Sequence, residues 1–147
     1  MADTDLIKLY SGRILELAAD IPFVDPIETP QATVKKRSPQ CGSTVTVALS
    51  MHEGRISDFG QDVKACALGQ ASASILGANV IGRTKAEIQN ARAQLIDMLK
   101  KNGPIPDAPF SEFEVLIPAR DFKNRHASIM LALDATSECI EHIEQNA

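Results

Sequence analysis

With 147 residues and 44% hydrophobic content, the chain is long enough to bury a core, and one compact α+β unit spanning residues 1–147 is expected. A formal net charge of -4, no Trp and one Tyr exclude a dedicated nucleic-acid binder, which needs a positive face and stacking platforms. No secretory leader follows Met1, no apolar run reaches membrane-spanning length, and three cysteines leave one without a mate, so a cytosolic (cytoplasmic) protein with reduced thiols and no membrane contact is expected.

Leu6, Ile7, Leu9, Tyr10, Ile14, Leu15 and Leu17 recur at helical spacing, which predicts an amphipathic helix over 4–19, stopped before Pro22. Four prolines interrupt the polar stretch 21–40, which reads as an extended, mobile connection. Its Lys35-Lys36-Arg37 run is either a solvated linker or a docking patch for an acidic partner. Residues 43–51 alternate, with Val45, Val47, Leu49 and Met51 on one face, so a half-buried strand is predicted. His52-Glu53-Gly54 supplies a turn, and 55–63 returns as the antiparallel partner. Its apolar anchors Ile56 and Phe59 lie three apart, which breaks strict alternation and predicts a bulge.

Residues 66–80 are rich in Ala, Ser and Gly, a composition that lets a helix approach its neighbours closely. Thr84-Lys85-Ala86-Glu87 matches a capping box, and an apolar stripe from Ile88 to Leu99 runs until Asn102-Gly103-Pro104 ends the helix. After a proline-rich loop, 110–117 reads as a short strand or a docked irregular segment. A final amphipathic helix is predicted over 123–144.

The residues that carry chemistry sit at joints between these elements. Cys41 ends the linker in Gln40-Cys41-Gly42-Ser43, and Cys66 opens the small-residue helix. A helix start favours the thiolate, which is the form that binds soft metals and iron-sulfur clusters. Two thiolates and the imidazole of His126, at the start of the last helix, would make three ligands held by different elements. A fourth would come from Ser43, water, a substrate sulfur or a partner, which leaves the site open to exchange. His126 on its own reads more readily as a hydrogen-bonded structural residue than as a ligand. Cys139, mid-helix, reads as a small buried hydrophobe, and His52 and His142 read as surface residues. There is no Ser/His/Asp set and no phosphate loop, so no enzyme is expected.

Leu9-Tyr10-Ser11, Cys41-Gly42 before a strand, Cys66 before a Gly/Ala/Ser helix, Gly82-Arg83-Thr84 and Arg125-His126-Ala127-Ser128-Ile129 follow one another in a family's order. This arrangement resembles the iron-sulfur cluster assembly scaffolds of the IscU/SufU/NifU N-terminal type. The resemblance implies a three-stranded antiparallel sheet covered by helices, with Cys41, Cys66 and His126 as the surviving site residues and Ser43 beside them. It implies an iron-sulfur cluster, or a zinc or iron ion, as cargo. It further implies a cysteine desulfurase and recipient apoproteins as partners, and a homodimer could share one cluster through four thiolates.

The chain departs from the pattern at Ser43, where an acidic residue is expected, and at Ala127, where a third cysteine is expected. Both changes remove anionic ligands. Arg120-Asp121-Phe122-Lys123 stands in place of the chaperone-recognition Leu-Pro-Pro-Val-Lys, and the segment 103–116 is more like the SufU-type insertion. The expected function is therefore a scaffold or carrier that binds its cargo transiently. The alternatives are a degenerate member kept as an interaction module, or a persulfide-accepting sulfur-transfer partner of the desulfurase.

Overall fold

A computed structural model describes residues 11–39 and 42–147. Its elements in chain order are α1 (Gly12–Ala19), β1 (Ala32–Arg37), β2 (Thr44–His52), β3 (Arg55–Lys64), α2 (Ala67–Asn79) and α3 (Lys85–Lys100). A 3-10 segment (Ser111–Asp121), a short 3-10 turn (Lys123–Arg125) and α4 (His126–Gln145) complete it. The sheet is antiparallel with order β1-β2-β3. Val45, Val47 and Leu49 are fully buried on its inner face, where α4 packs against β1 and β2 and also against α2 and α3. The alternate residues Thr44, Thr46, Ala48 and Ser50 form a half-exposed outer face.

The expected bulge lies where the register shifts between Ser50 and Met51: Ser50 pairs with Asp58 and Met51 with Ile56, so Ser57 is the extra residue. It lets Ile56 and Phe59, three apart, both reach the core.

Three expectations are corrected. The stretch 21–40 is not simply a connection, because 32–37 form β1. Its pattern was too polar to read as a strand: of Ala32-Thr33-Val34-Lys35-Lys36-Arg37 only Val34 is buried, as suits a charged edge strand that pairs on one side alone. The preceding segment 21–30 is tied down. The Phe23 carbonyl accepts from the Gln61 N–H on the free edge of β3 (2.8 Å), and the chain then crosses the outer face above Gly60, where a Cβ would lie 2.9 Å from the Asp25 carbonyl oxygen.

The segment 110–117 is the second correction, since it is neither a strand nor irregular but the start of the 3-10 segment. Phe110, Phe113, Leu116 and Ala119 are all buried and recur every third residue, the repeat of a 3-10 helix.

The helices follow their signals but for the first, the third correction. The helix expected over 4–19 is broken at Ser11, which at φ -59 and ψ 161 caps α1; Ile14 and Leu17 of α1 are buried but Leu15 is exposed, and the apolar residues predicted ahead of them, from Leu6 to Tyr10, lie outside the described residues. At α3 the Thr84 hydroxyl accepts from the Glu87 N–H (3.2 Å) while the Glu87 carboxylate accepts from the Thr84 N–H (3.1 Å). The Thr84 N–H holds the Glu87 carboxyl below its ordinary value against the opposing effect of burial, and the Arg83 guanidinium, 2.8 Å away, lowers it further. A lowered folded-state pKa gives stability that is present above the unfolded value and lost as pH falls through the folded one. Glu87→Gln should therefore be less stable than the unaltered protein at neutral pH. The gap should close as pH drops through and below the ordinary carboxylate range, as followed by urea unfolding at a series of pH values. A gap that stays constant into acid would show that the charge contributes nothing.

Candidate metal and cluster site

The site lies where the β1–β2 loop, the β3–α2 junction and the start of α4 meet. The loop is closed by the Ser38 N–H donating to the Ser43 carbonyl (2.8 Å) and the Gly42 N–H to the Ser38 carbonyl (2.9 Å), with Gly42 at φ 71. A positive φ there suits glycine. Cys41 is the covalent neighbour of Gly42 and lies outside the described residues, as does Gln40.

Cys66 is the N-cap residue of α2, extended at φ -67 and ψ 169, and its side chain makes no capping hydrogen bond. The half-buried thiol is thus left to face α4. There its Sγ lies 3.6 Å from the Ser128 Oγ, which in turn donates to the Ser43 Oγ (3.1 Å). Ser43 and Ser128 are both buried. Three segments remote in sequence are joined through one hydroxyl.

Close helix packing makes this possible. Gly69, one helical turn beyond Cys66, has no side chain to hold α4 away: a Cβ there would stand 2.6 Å from the Ser128 Oγ and 2.8 Å from the Ala65 Cβ. One turn further on, the Ser72 hydroxyl donates to the Ile129 carbonyl (2.7 Å) and locks the two helices in register. The composition of 66–80 foretold the close approach. The role of Ser128 did not emerge, although it lies two residues after His126 in the motif already singled out; a hydroxyl carries no signal until its neighbours are placed.

His126 is buried, and its Nε2 lies 2.9 Å from the Ala119 carbonyl and 3.1 Å from that of Arg120. Carbonyls only accept, so Nε2 carries the proton and a neutral ring keeps its lone pair on Nδ1. An N–H held by a backbone carbonyl is the usual way a metal-binding histidine is oriented. His126 and Ser128 are two apart on α4, about 200° around the helix, so one side chain meets the 3-10 segment while the other meets Cys66. Ala127 falls between them and is exposed, so a thiol at that position would be open to solvent.

Among the described residues no three His, Cys, Asp or Glu side chains converge to hold a metal ion. The donors placed together are one thiol and two neutral hydroxyls. Of these only the thiol is a soft donor, the hydroxyls being neutral and hard, so the set does not enclose a soft ion by itself. Cys139 belongs to the core: its thiol is fully buried, donates to the Val47 carbonyl (3.3 Å), and is pushed up to about 12 by burial. His52 and His142 are exposed, as expected.

The fold is of the α+β class, a three-stranded antiparallel sheet covered on one face by helices, with a cysteine at the start of one of them. The family model described as the NifU-like N terminal domain matches residues 9–112, and the chain belongs to that family. It is similar to a nitrogen-fixing NifU-like protein (N-terminal) from Brucella abortus at 45% identity, with 97% of this chain and 99% of that one covered and a TM-score of 0.95. The fold is shared by a candidate iron-sulfur cluster assembly scaffold protein for the SUF system from Fervidobacterium islandicum AW-1. That likeness has a TM-score of 0.79 at 20% identity and covers 91% of this chain and 98% of that one. No curated protein sequence matches the chain. Among the described residues no helix is long and apolar enough to cross a membrane.

Proposed function

We propose that the chain, acting as one unit, is a cytoplasmic scaffold or carrier that holds an iron-sulfur cluster, or a zinc or iron ion, through Cys41 and Cys66. His126, whose ring meets the 3-10 segment and not Cys66, is offered as the third ligand through its Nδ1 lone pair, and Ser43 borders the site. The observation that carries this reading is the Cys66 thiol, free of any capping role and turned toward the end of the β1–β2 loop to which Cys41 belongs. Two thiolates cannot close a tetrahedral site, so the remaining positions fall to His126 and to a ligand brought by a partner or by a second copy of the chain. An incomplete set favours release as much as capture, which is what a carrier needs. Sulfur would arrive from a cysteine desulfurase and the assembled cluster would leave to recipient apoproteins. No turnover of a free substrate is involved.

Anaerobic reconstitution with iron and sulfide tests this directly. The unaltered protein should retain both, and Cys66→Ser and Cys41→Ser should each lose them. Zinc affinity should fall by about a hundredfold or more in either variant, because even the outer partners of a metal ligand are worth about ten- to a hundredfold. Full iron occupancy in Cys66→Ser would overturn the reading.

The hydrogen-bonded hydroxyls of Ser43 and Ser128 favour a second reading, an interaction module that has given up its cargo. Protein purified without added metal that stays empty after reconstitution, with both thiols intact, would select it.

A further inference from the structure

The run Lys35-Lys36-Arg37 changes meaning once it is a strand. Alternation turns Lys36 toward α4, where its Nζ pairs with Glu138 (3.0 Å), and leaves Lys35 and Arg37 exposed on the outer face. Arg37 is opposite Thr44, and Thr44 is opposite Lys64 of β3, so a cation stands on each side of the central strand, with Cα atoms about 10 Å apart at the usual strand spacing. Lys35, one strand repeat along, completes a triangle. Among the described residues none of the three has an ion-pair partner. This end of the outer face is also the site end: Thr44 follows Ser43, and Lys64 precedes Cys66 by two.

Further along the same face the segment 21–30 overhangs the sheet and leaves a cavity of about 520 Å³. Its wall is Val24, Ile27 and Pro30, and its floor is Thr46, Ala48 and Gly60. Asp25, on the strap, also lines it, as does Asp62 of β3, which is opposite Thr46 and so stands level with Lys35. Arg37 and Lys64, level with Thr44, stand beyond Asp62 at the end where cargo would be exchanged.

We propose that Lys35, Arg37 and Lys64 form a docking platform for an extended acidic segment of a partner protein, with one apolar side chain of that segment entering the adjoining cavity. Charge complementarity selects the occupant. Among the described residues the outer face of the strands carries no aromatic side chain, so a nucleic acid would find no stacking platform there. Exposed ion pairs are individually weak, so the platform serves to orient and to accelerate encounter more than to hold. Naming the docked protein as the one that exchanges cargo at Cys66 rests on the scaffold reading above; the docking itself does not.

The test uses the full chain and a labelled glutamate-rich peptide with a single central leucine, followed by fluorescence anisotropy at low salt. The unaltered protein should bind it saturably. Arg37→Glu combined with Lys64→Glu should weaken binding by about tenfold, and added salt should erase the difference. Lys101→Glu with Arg92→Glu, an equal change of charge elsewhere, should bind as the unaltered protein does. Replacing the leucine by serine should weaken binding to the unaltered protein. No saturable binding, equal binding by the two double variants with unchanged circular dichroism, or tighter binding of a single-stranded oligonucleotide of matched charge would each overturn the proposal. The measurement needs no thiol and no metal. Run on Cys66→Ser protein it separates a failure of docking from a failure of the scaffold reading.

Discussion

Phe113→Ala is expected to lower the stability of the protein by about 3–5 kcal/mol, the usual cost of truncating a fully buried phenylalanine. Phe113 is 0% exposed and stacks on Phe110, with ring centroids 6.0 Å apart. A 3-10 helix has poorer hydrogen-bond geometry than an α-helix, so a segment of 11 residues depends on what its side chains bury. In this one the buried stripe is Phe113, Leu116 and Ala119, and removing its largest member leaves a cavity that the chain cannot easily refill. For a chain of this length the melting temperature should fall by roughly 10 °C. The loss should be felt at His126 as well, because the Ala119 and Arg120 carbonyls that hold its Nε2–H belong to the same segment. Nitrogen NMR of the imidazole should show the fixed Nε2–H tautomer of the unaltered protein giving way to an exchanging ring in the variant. Unchanged melting would show that the segment is not anchored by this ring.

That dependence also explains which parts of the molecule could be read from the residues. The strands β2 and β3 and the helices α3 and α4 announce themselves by apolar residues set at the spacing of their own geometry, and α2, buried on nearly all sides, by its small-residue composition. Even the bulge at Ser57 follows from two apolar residues set three apart. The edge strand β1 buries only Val34, and its other side chains report on solvent and not on pairing, so periodicity has nothing to register. The 3-10 segment carries a clear repeat of three, which matches neither the helical nor the strand template and left two alternatives standing. The place of Cys66 at the start of α2 was legible because a run of small residues follows it. Ser128 and Gly69 were not. Their meaning is a distance between two helices, and that is decided by packing across the whole of α2 and α4.

That distance yields the second large effect. Gly69→Ala should destabilise the protein by about 1–3 kcal/mol, the range for forcing an extra carbon into a packed interface. The new Cβ would meet the Ser128 Oγ at 2.6 Å, the Ala65 Cβ at 2.8 Å and the Ser128 carbonyl oxygen at 3.2 Å, and two of these three atoms belong to α4. The helices must part, and Ser128 must leave Cys66, Ser43 or both. Cluster or zinc retention should therefore fall together with stability, although no proposed ligand is touched. Ser128→Ala removes the closest of the three contacts, so the cost of Gly69→Ala should shrink in a Ser128→Ala background. Residues in direct contact commonly show coupling of about 0.5–3 kcal/mol in such a cycle. Urea unfolding of the four proteins measures it. Simple additivity of the two substitutions would mean that the Ser128 hydroxyl is not what limits the approach of the helices, and the chain of contacts from Cys66 through Ser128 to Ser43 would lose its role in shaping the site.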